Sequence, residues 1–188
     1  MRVLTEADVP AILALQSACY EAGYLEPAAS FAAKLACSPQ TSWGEFSAQP
    51  QTAGAGAEAE QPLLAYLICL PVPTWHGPLL HATRFTQVAQ PHALYLHDLA
   101  LHPSVRGQGV GLRLVARAED WARSQGLRAL SLMAVQGSAG YWALHGFAPL
   151  DAEAADGTVD LTGDAAERER VVASYGPGVT LMVKPLPR

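Results

Sequence analysis

Hydrophobic and polar residues follow two spacings along the chain, one typical of helices and one typical of strands. Apolar residues recur at helical spacing in 5–20 and 111–126, residues 28–38 are rich in alanine, and residues 138–146 form a short aromatic stretch, so the pattern predicts about four helices. Compact apolar runs predict about seven strands, at residues 2–4, 41–46, 63–70, 94–101, 128–135, 147–150 and 179–184. Helices fall between strands in the middle of the chain, which indicates an α/β or α+β fold.

Local signals mark the ends of two of these helices. Thr5 is followed three residues later by Asp8, which resembles a capping box at the start of the first helix. Gln16 is a polar interruption in the apolar face of that helix. Gly126 is placed to end the helix over 111–126.

Three segments show neither spacing. Residues 47–62 are a low-complexity stretch of Gly, Ala, Gln and Pro, which predicts a flexible hairpin loop. Residues 71–93 are irregular and rich in proline, and loops of that length in compact domains are often functional. Residues 151–178 are polar and contain one possible helix. The length favours a single domain over residues 1–188.

Composition and charge narrow the class of protein. Half of the 188 residues are hydrophobic, and the formal net charge of -5 argues against a nucleic-acid partner. Three scattered cysteines fit a reducing compartment. The longest apolar run, residues 63–70, is too short to span a bilayer, and the first residues lack the apolar core of a signal peptide. We therefore expect a cytoplasmic monomer or homodimer with neither a membrane nor a nucleic-acid partner.

Residues 97–111, HDLALHPSVRGQGVG, carry the clearest functional signal. A strand runs into glycines at every second position and then into a helix. The first N–H groups of a helix lack internal partners and the helix dipole favours negative charge there, so the turn predicts a phosphate or pyrophosphate site. The alternative is a tight connection without a ligand. A dinucleotide-binding oxidoreductase is disfavoured because the spacing is G-x-G-x-G rather than G-x-G-x-x-G, and no G-K-[S/T] of a P-loop is present.

Arg106–Gly111, which follows the strand end LAL, reads R-x-x-G-x-G and resembles the acetyl-CoA motif of the GNAT N-acetyltransferase superfamily. Residues 140–150, GYWALHGFAPL, resemble the second motif of that family. The resemblance implies a mixed, mostly antiparallel sheet of about seven strands flanked by about four helices and splayed between strands 4 and 5. It also implies acetyl-CoA as co-substrate and a small-molecule amine as acceptor. Within the superfamily, YLHDLALH at 95–102 is most similar to the arylalkylamine N-acetyltransferase branch.

The same resemblance assigns the residues that would hold the co-substrate. The backbone of the turn would bind the CoA pyrophosphate, and the end of the preceding strand would pair with the pantetheine arm as an added strand does. Trp142 would pack on the pantetheine. The alternative for the side chains of Leu99 and Leu101 is that they simply pack in the hydrophobic core. The residues so assigned are Leu99, Ala100, Leu101, Arg106, Gly107, Gln108, Gly109, Val110, Gly111 and Trp142.

Catalytic candidates come from the strand before the turn and from the second motif. Tyr95 and His97 lie two residues apart, so they are expected on one face of the strand, with Asp98 on the other. In the branch that the chain resembles, two histidines here relay the proton of the amine, and imidazole suits that task near neutral pH. The alternative for His97 is a structural histidine. Asp98 is expected to cap or to pair with an arginine.

The second motif departs from the family pattern. The family tyrosine that protonates the departing thiolate falls on Trp142, whose indole is no usable acid. Either the neighbouring Tyr141 supplies the proton or the thiolate leaves unassisted. This departure keeps a catalytically silent acyl-CoA-binding module open as an alternative, and a polyamine, an amino acid or a peptide N-terminus remains open as acceptor. His92, His97 and His102 recur every five residues, which neither strand nor helix aligns, so no metal site is expected.

Overall fold

The computed structural model describes residues 1–48, 61–155 and 165–187, and it contains a seven-stranded sheet in the order β1-β2-β3-β4-β5-β7-β6. The strands are β1 (Arg2–Val3), β2 (Trp43–Phe46), β3 (Leu63–Val72), β4 (Ala93–Leu101), β5 (Ala129–Ala134), β6 (Ala148–Pro149) and β7 (Thr180–Pro185). The helices are α1 (Val9–Cys19), α2 (Ala28–Cys37), α3 (Val110–Ser124), α4 (Ala139–Ala143), α5 (Leu150–Ala155) and α6 (Ala165–Ser174).

The predicted fold class is confirmed, with two helices more than expected. The described residues contain six α-helices instead of about four, because the segment 151–178, where one helix was possible, contributes both α5 and α6. The predicted capping box is present at the 3₁₀ turn Glu6–Asp8 that leads into α1, since the Thr5 N–H donates to Asp8 Oδ2 at 2.8 Å. Most of the predicted loop 47–62 lies outside the described residues.

The sheet opens between β4 and β5, as predicted. Neighbouring strands are antiparallel except for this pair, which is parallel. Pairing runs from Ala93↔Ala129 to Leu96↔Leu132 and stops there, although β4 continues to Leu101 and β5 continues to Ala134. The end of β4 therefore has backbone groups facing a gap instead of a neighbouring strand.

Each face of the sheet is covered by helices. On one face, α3 buries Leu114 and Val115 against a cluster that includes Leu67, Leu96 and Leu132. The predicted apolar side of the helix over 111–126 is thus its core side. On the other face, α1 and α2 pack on Tyr66, Ile68 and Ala100, and α6 covers the region around Tyr95. This second face leads directly to the gap between β4 and β5.

An extra residue in β4 changes which way its side chains point. Ile68 pairs with Asp98 and Cys69 pairs with Leu96, so His97 is a β-bulge with no partner of its own in β3. Strict alternation places Asp98 opposite Tyr95 and His97, and that expectation is wrong. Because the bulge shifts the alternation by one residue, Asp98 lies on the same face as Tyr95, toward α1 and α2.

Tyr95 is fixed below this bulge by close packing. Its ring is fully buried, and its hydroxyl lies 3.2 Å from the Tyr175 hydroxyl. A Cβ built on Gly77 would lie 2.2 to 2.6 Å from three atoms of the Tyr95 ring. Contacts that short require the ring or the backbone to move, so Gly77 is the residue that lets the loop after β3 close over the sheet.

We expect Gly77→Ala to lower the free energy of unfolding by about 1–3 kcal/mol or more, the range for overpacking a well-filled core. Gly23→Ala is the matched control, because a Cβ at Gly23 meets nothing within 4 Å. Urea denaturation of the two variants and the wild type measures the difference. Equal stability of the two variants would contradict the assigned packing of Tyr95.

Candidate active site

A cavity of about 820 Å³ occupies the gap between β4 and β5. Its walls come from the free half of β4, the glycine turn, the end of β5, α4 and the segment that joins α1 to α2. One end lies at the turn, where Arg106, Gly107 and Gly109 line it, and another region is lined by Glu26 and His97. The cavity between the two strands thus connects the predicted anion site with the predicted catalytic histidine.

The glycine turn has the geometry of a backbone cradle. Gly107 and Gly109 have φ of 74° and 72°, a conformation that favours glycine, and Gly109 is the residue that precedes α3. A Cβ at Gly107 meets nothing within 4 Å, so the space over the turn is open. Gly111 instead allows Tyr141 to pack closely against the backbone, because a Cβ at this position would lie 2.7 Å from the Tyr141 hydroxyl. The turn therefore presents helix N-terminal amides to open space, which suits an anionic group.

The other residues assigned to the turn differ in position. Arg106 lines the cavity, and its Nε donates to the Leu101 carbonyl at 3.1 Å. Val110 lines the cavity while packing in the core. Gln108 is exposed and is not among the residues that line the cavity, and its side chain donates to the Ser104 carbonyl at 2.7 Å. A contact of Gln108 with a ligand would thus come from its backbone.

The end of β4 has its carbonyls already hydrogen-bonded. Leu99, Ala100 and Leu101 all line the cavity. Tyr20 donates its hydroxyl proton to the Leu99 carbonyl at 2.9 Å, and Cys19 Sγ donates to the Leu101 carbonyl at 3.3 Å. Since alternate residues of a strand direct their backbone groups to alternate edges, the N–H groups of Leu99 and Leu101 face the same gap. A ligand laid along this edge meets free donors more readily than free acceptors.

His97 is held by a buried ion pair. Its Nε2 lies 2.7 Å from Glu26 Oε2, and Lys34 Nζ donates to the same oxygen at 2.5 Å. All three side chains are buried: His97 is 2% exposed, Glu26 is 3% exposed and Lys34 is 0% exposed. Ser30 links the pair further, because it donates to Glu26 Oε1 at 3.0 Å and accepts from Lys34 Nζ at 2.7 Å.

Glu26 is fixed from its backbone as well as from its carboxylate. The side-chain amide of Gln16 donates to the Glu26 carbonyl at 3.1 Å and accepts from the Glu26 N–H at 2.8 Å. The polar interruption in the apolar face of α1 is therefore the clamp for this residue. The His81 N–H also donates to Glu26 Oε1, at 3.2 Å.

The charges of the cluster decide which nitrogen of His97 carries a proton. Burial alone raises the pKa of Glu26, but His97 and Lys34 outweigh it and hold that pKa far below its ordinary value. An ionised carboxylate accepts hydrogen bonds and donates none, so His97 Nε2 is the donor. In the neutral ring, Nδ1 is then the acceptor. Nδ1 is buried and has no hydrogen-bond partner among the described residues.

Tyr95 and Asp98 flank His97 in different environments. Tyr95 does not line the cavity, and burial raises the pKa of its hydroxyl, partly offset by Tyr175. Asp98 does line the cavity, but the expectation of an arginine partner is wrong, because Tyr66 donates to its Oδ2 at 2.7 Å and no arginine pairs with it in the described chain. Burial raises the pKa of Asp98 against the lowering effect of nearby tyrosine hydroxyls.

The aromatic residues of α4 lie beside the glycine turn. Tyr141 is 39% exposed, lines the cavity and places its hydroxyl against the position of Gly111, and burial raises its pKa. Trp142 is buried and packs edge-on against Phe147. It lines the cavity as well, so either residue is placed to contact a bound molecule.

Sequence reasoning missed Glu26, Lys34 and Gln16 as members of the site. Gln16 and Lys34 carried a signal, since each is a polar residue within a mainly apolar or Ala-rich helix. Glu26 carried none, because it stands in a loop before a proline. Within residues 1–48, 61–155 and 165–187, no group of acidic, histidine or cysteine side chains is arranged to hold a metal ion. Over the same ranges, no helix has the length and apolar character needed to cross a membrane.

The chain belongs to the acetyltransferase (GNAT) family, whose sequence profile matches residues 10–147. This confirms the resemblance at the level of the family and confirms the predicted class of enzyme. The match does not extend to the arylalkylamine branch. No curated protein sequence matches the chain significantly.

Solved structures of this fold cover nearly the whole chain. The GphF GNAT-like decarboxylase in complex with isobutyryl-CoA is 16% identical, with a TM-score of 0.63 over 99% of this chain and 98% of that one. The NatC complex bound to Gag peptide and CoA is 16% identical, with a TM-score of 0.58 over 99% and 97%. The PaiA N-acetyltransferase from Thermoplasma acidophilum in complex with coenzyme A is 14% identical, with a TM-score of 0.56 over 98% and 97%. These likenesses show the fold.

Removing the charge of Glu26 is expected to destabilise the protein. Glu26→Gln leaves Lys34 buried without its counter-charge, so the free energy of unfolding at neutral pH should fall by about 3 kcal/mol, the scale for breaking a buried ion pair. The exposed Glu21 supplies the control, because Glu21→Gln should change stability by less than about 0.5 kcal/mol.

The difference between wild type and Glu26→Gln should also depend on pH. Because the pKa of Glu26 is lowered in the folded chain from its ordinary value of 4.5, its ionised form stabilises the fold above that value, and the effect is lost as the pH falls toward the folded-state pKa. Urea denaturation at about pH 6 and about pH 3 should therefore show the gap narrowing on acidification. A gap that stays constant would mean that Glu26 is not the charge that stabilises this cluster.

Proposed function

We propose that the protein is an acetyl-CoA-dependent N-acetyltransferase that transfers the acetyl group directly to a small primary amine. One observation carries the proposal: a single cavity joins a glycine cradle at the start of α3 to a histidine fixed by a buried carboxylate. A cradle suits the phosphates of a CoA thioester, and a histidine so placed suits the removal of a proton from an amine. A direct transfer needs both in one space.

The glycine turn fits the CoA moiety on the evidence of its backbone. Gly107 and Gly109 hold left-handed conformations over open space, and the amides of the first turn of α3 would bind the pyrophosphate. Leu99 and Leu101 would donate their N–H groups to the pantetheine arm, while Trp142 would pack beside it. When bound, acetyl-CoA supplies an activated acetyl group as a thioester.

His97 would take up the proton of the amine at Nδ1, directly or through one water, because Nδ1 is itself buried. The ionised Glu26 orients the ring and, as the proton arrives, stabilises the imidazolium that forms. Lys34 keeps Glu26 ionised inside the protein. Tyr95 would support the ring of His97 from below, since the ring centroids are 6.0 Å apart. An N–H at the free edge of β4 would polarise the thioester carbonyl, which is an oxyanion-hole role.

Tyr141 is the proposed proton donor to the leaving thiol. Its hydroxyl lies at the first turn of α3 and within the wall of the cavity, whereas the indole of Trp142 provides no acid. We further propose an arylalkylamine as acceptor, because Tyr20, Tyr24 and Tyr175 line the cavity together with Glu26.

The second candidate function is a catalytically silent acyl-CoA-binding module, favoured by Trp142 at the position of the family tyrosine. Release of free CoA from acetyl-CoA, measured across aryl amines, polyamines, amino acids and peptides, separates the two. The proposal expects release that depends on an added amine, with acetylated amine formed in equal amount. Stabilisation by acetyl-CoA without release for any amine would favour the silent module.

Gly109→Val should remove the stabilisation that acetyl-CoA confers. A Val side chain would occupy the space over the turn and strain a left-handed residue. At about 100 times its dissociation constant, a ligand adds about 2.7 kcal/mol to the wild type, seen as a thermal shift. Gly126→Val is the matched control, because Gly126 has φ of 68° at the other end of α3. A folded Gly109→Val that keeps the full shift, as Gly126→Val should, would refute the cradle.

His97→Ala should lower kcat/KM by about 10- to 100-fold near neutral pH, less than a sole general base provides, because water can take part of the proton transfer. The loss should shrink at high pH, where more of the amine is already free base. His102→Ala is the control, since His102 accepts from the Ser104 N–H in the turn after β4. A pH–rate profile of the three proteins tests this, with the acetyl-CoA thermal shift as folding control. If folded His97→Ala keeps the wild-type kcat/KM at every pH, His97 has a structural role and not a catalytic one.

A further inference from the structure

Asp98 is a buried carboxylate without a cationic partner. Its Oδ2 accepts from Tyr66, but its Oδ1 is buried and has no hydrogen-bond partner among the described residues. Tyr20 is nearby, and its hydroxyl lies 2.9 Å from the Leu99 carbonyl, so a Tyr20 proton donated to Leu99 leaves Asp98 Oδ1 unpaired. Asp98 also forms no ion pair in the described part of the chain. A buried carboxylate with a free oxygen is unfavourable unless another group binds it or it takes up a proton.

The buried lysine beside this part of the cavity pairs with Glu26 and not with Asp98. Glu26 and Asp98 are the carboxylates of the cavity wall, and Lys34 compensates the first of them. In the neutral-imidazole state that the proposed mechanism requires, Asp98 is the carboxylate of this wall without a cationic partner. Among the described residues that line the cavity, Arg106 is the only lysine or arginine, and it belongs to the glycine turn. The region around Asp98 is thus suited to one positive charge and lacks a partner for a negative one.

The remaining wall around this region is aromatic and apolar. Tyr20, Tyr24, Tyr175 and Leu80 line it. The hydroxyls of Tyr20 and Tyr175 are already engaged, with the Leu99 carbonyl and with Tyr95 respectively. Their rings therefore offer apolar and π surface to a ligand, which favours an aromatic or aliphatic arm and binds cations as well.

We propose that Asp98 and this aromatic wall form the acceptor subsite, built for one primary ammonium on an apolar arm. The proposal rests on the proposed acetyl transfer and narrows its acceptor. It disfavours amino acids, since their carboxylate would lie near Asp98 and Glu26 with no lysine or arginine to receive it. It also disfavours diamines and polyamines, since no second uncompensated carboxylate is present for a second ammonium in the described wall. Asp98 is the residue that sets this selectivity.

Two matched pairs of acceptors test the selectivity of the wild type. 2-Phenylethylamine and L-phenylalanine share a ring and differ by a carboxylate, and hexylamine and 1,6-diaminohexane differ by a second amine. We expect kcat/KM, measured by CoA release, to be about 100-fold lower for phenylalanine and about 10-fold lower for the diamine than for their partners. Equal kcat/KM values for the two members of either pair would overturn the proposal.

Asp98→Asn tests the residue itself, because asparagine keeps the shape and can still accept from Tyr66. We expect kcat/KM for phenylethylamine to fall about 30-fold or more, chiefly through KM, and the discrimination against phenylalanine to shrink. Asp120→Asn, an exposed change on α3, is the control and should leave both values unchanged. Unaltered discrimination in Asp98→Asn, with the acetyl-CoA thermal shift retained, would overturn the role of Asp98.

A binding measurement separates this subsite from the proposed function. Calorimetric titration of phenylethylamine into the protein saturated with CoA needs no turnover. Binding that is lost in Asp98→Asn and absent for phenylalanine supports the subsite even if no acetylated product forms, in which case the transferase proposal fails alone. Equal binding of phenylethylamine and phenylalanine, or binding unaffected by Asp98→Asn, overturns the subsite whether or not acetyl transfer occurs.

Discussion

One extra residue in β4 determines the arrangement of the site. The bulge at His97 shifts the alternation of the strand, so that Tyr95 and Asp98 lie on the same face of the sheet, the face that α1, α2 and α6 cover. It falls next to Leu96, the last residue of β4 that pairs with β5. β4 therefore pairs with β5 up to the bulge, and beyond the bulge its edge toward β5 faces the cavity. A regular strand would send Asp98 under α3, away from the tyrosines and from the acceptor side of the cavity.

The buried charges follow from that bulge. His97 reaches Glu26, and Glu26 needs Lys34 because an unpaired carboxylate in this position would be unfavourable. Such a pair contributes little net stability compared with apolar packing, so its value lies in fixing one histidine in one orientation. Gln16 supports the same end by holding the backbone of Glu26. Three polar side chains, from α1, from the following loop and from α2, thus act together on one imidazole.

The sequence predicted what depends on local signals. Apolar spacing located the seven strands, and the glycine turn was recognised because Gly107 and Gly109 need backbone conformations that other residues avoid. The bulge was not predicted, because YLHDLALH alternates as an ordinary strand and its register depends on β3. Glu26 was not predicted either, since it meets His97 through tertiary packing across 71 residues of sequence. The family resemblance supplied the co-substrate and the fold, but no residue contact of the buried cluster.

We propose that Glu26 fixes the Nε2–H tautomer of His97 and leaves Nδ1 as the proton acceptor. Long-range ¹H–¹⁵N NMR of the protein with ¹⁵N-labelled histidine distinguishes the tautomers of its six histidines, and a His97→Gln sample assigns the signal. At a pH where acetyl transfer is observed, we expect a pyrrole-type Nε2 and a pyridine-type Nδ1 for His97. A pyridine-type Nε2, or a ring protonated on both nitrogens at that pH, would contradict it.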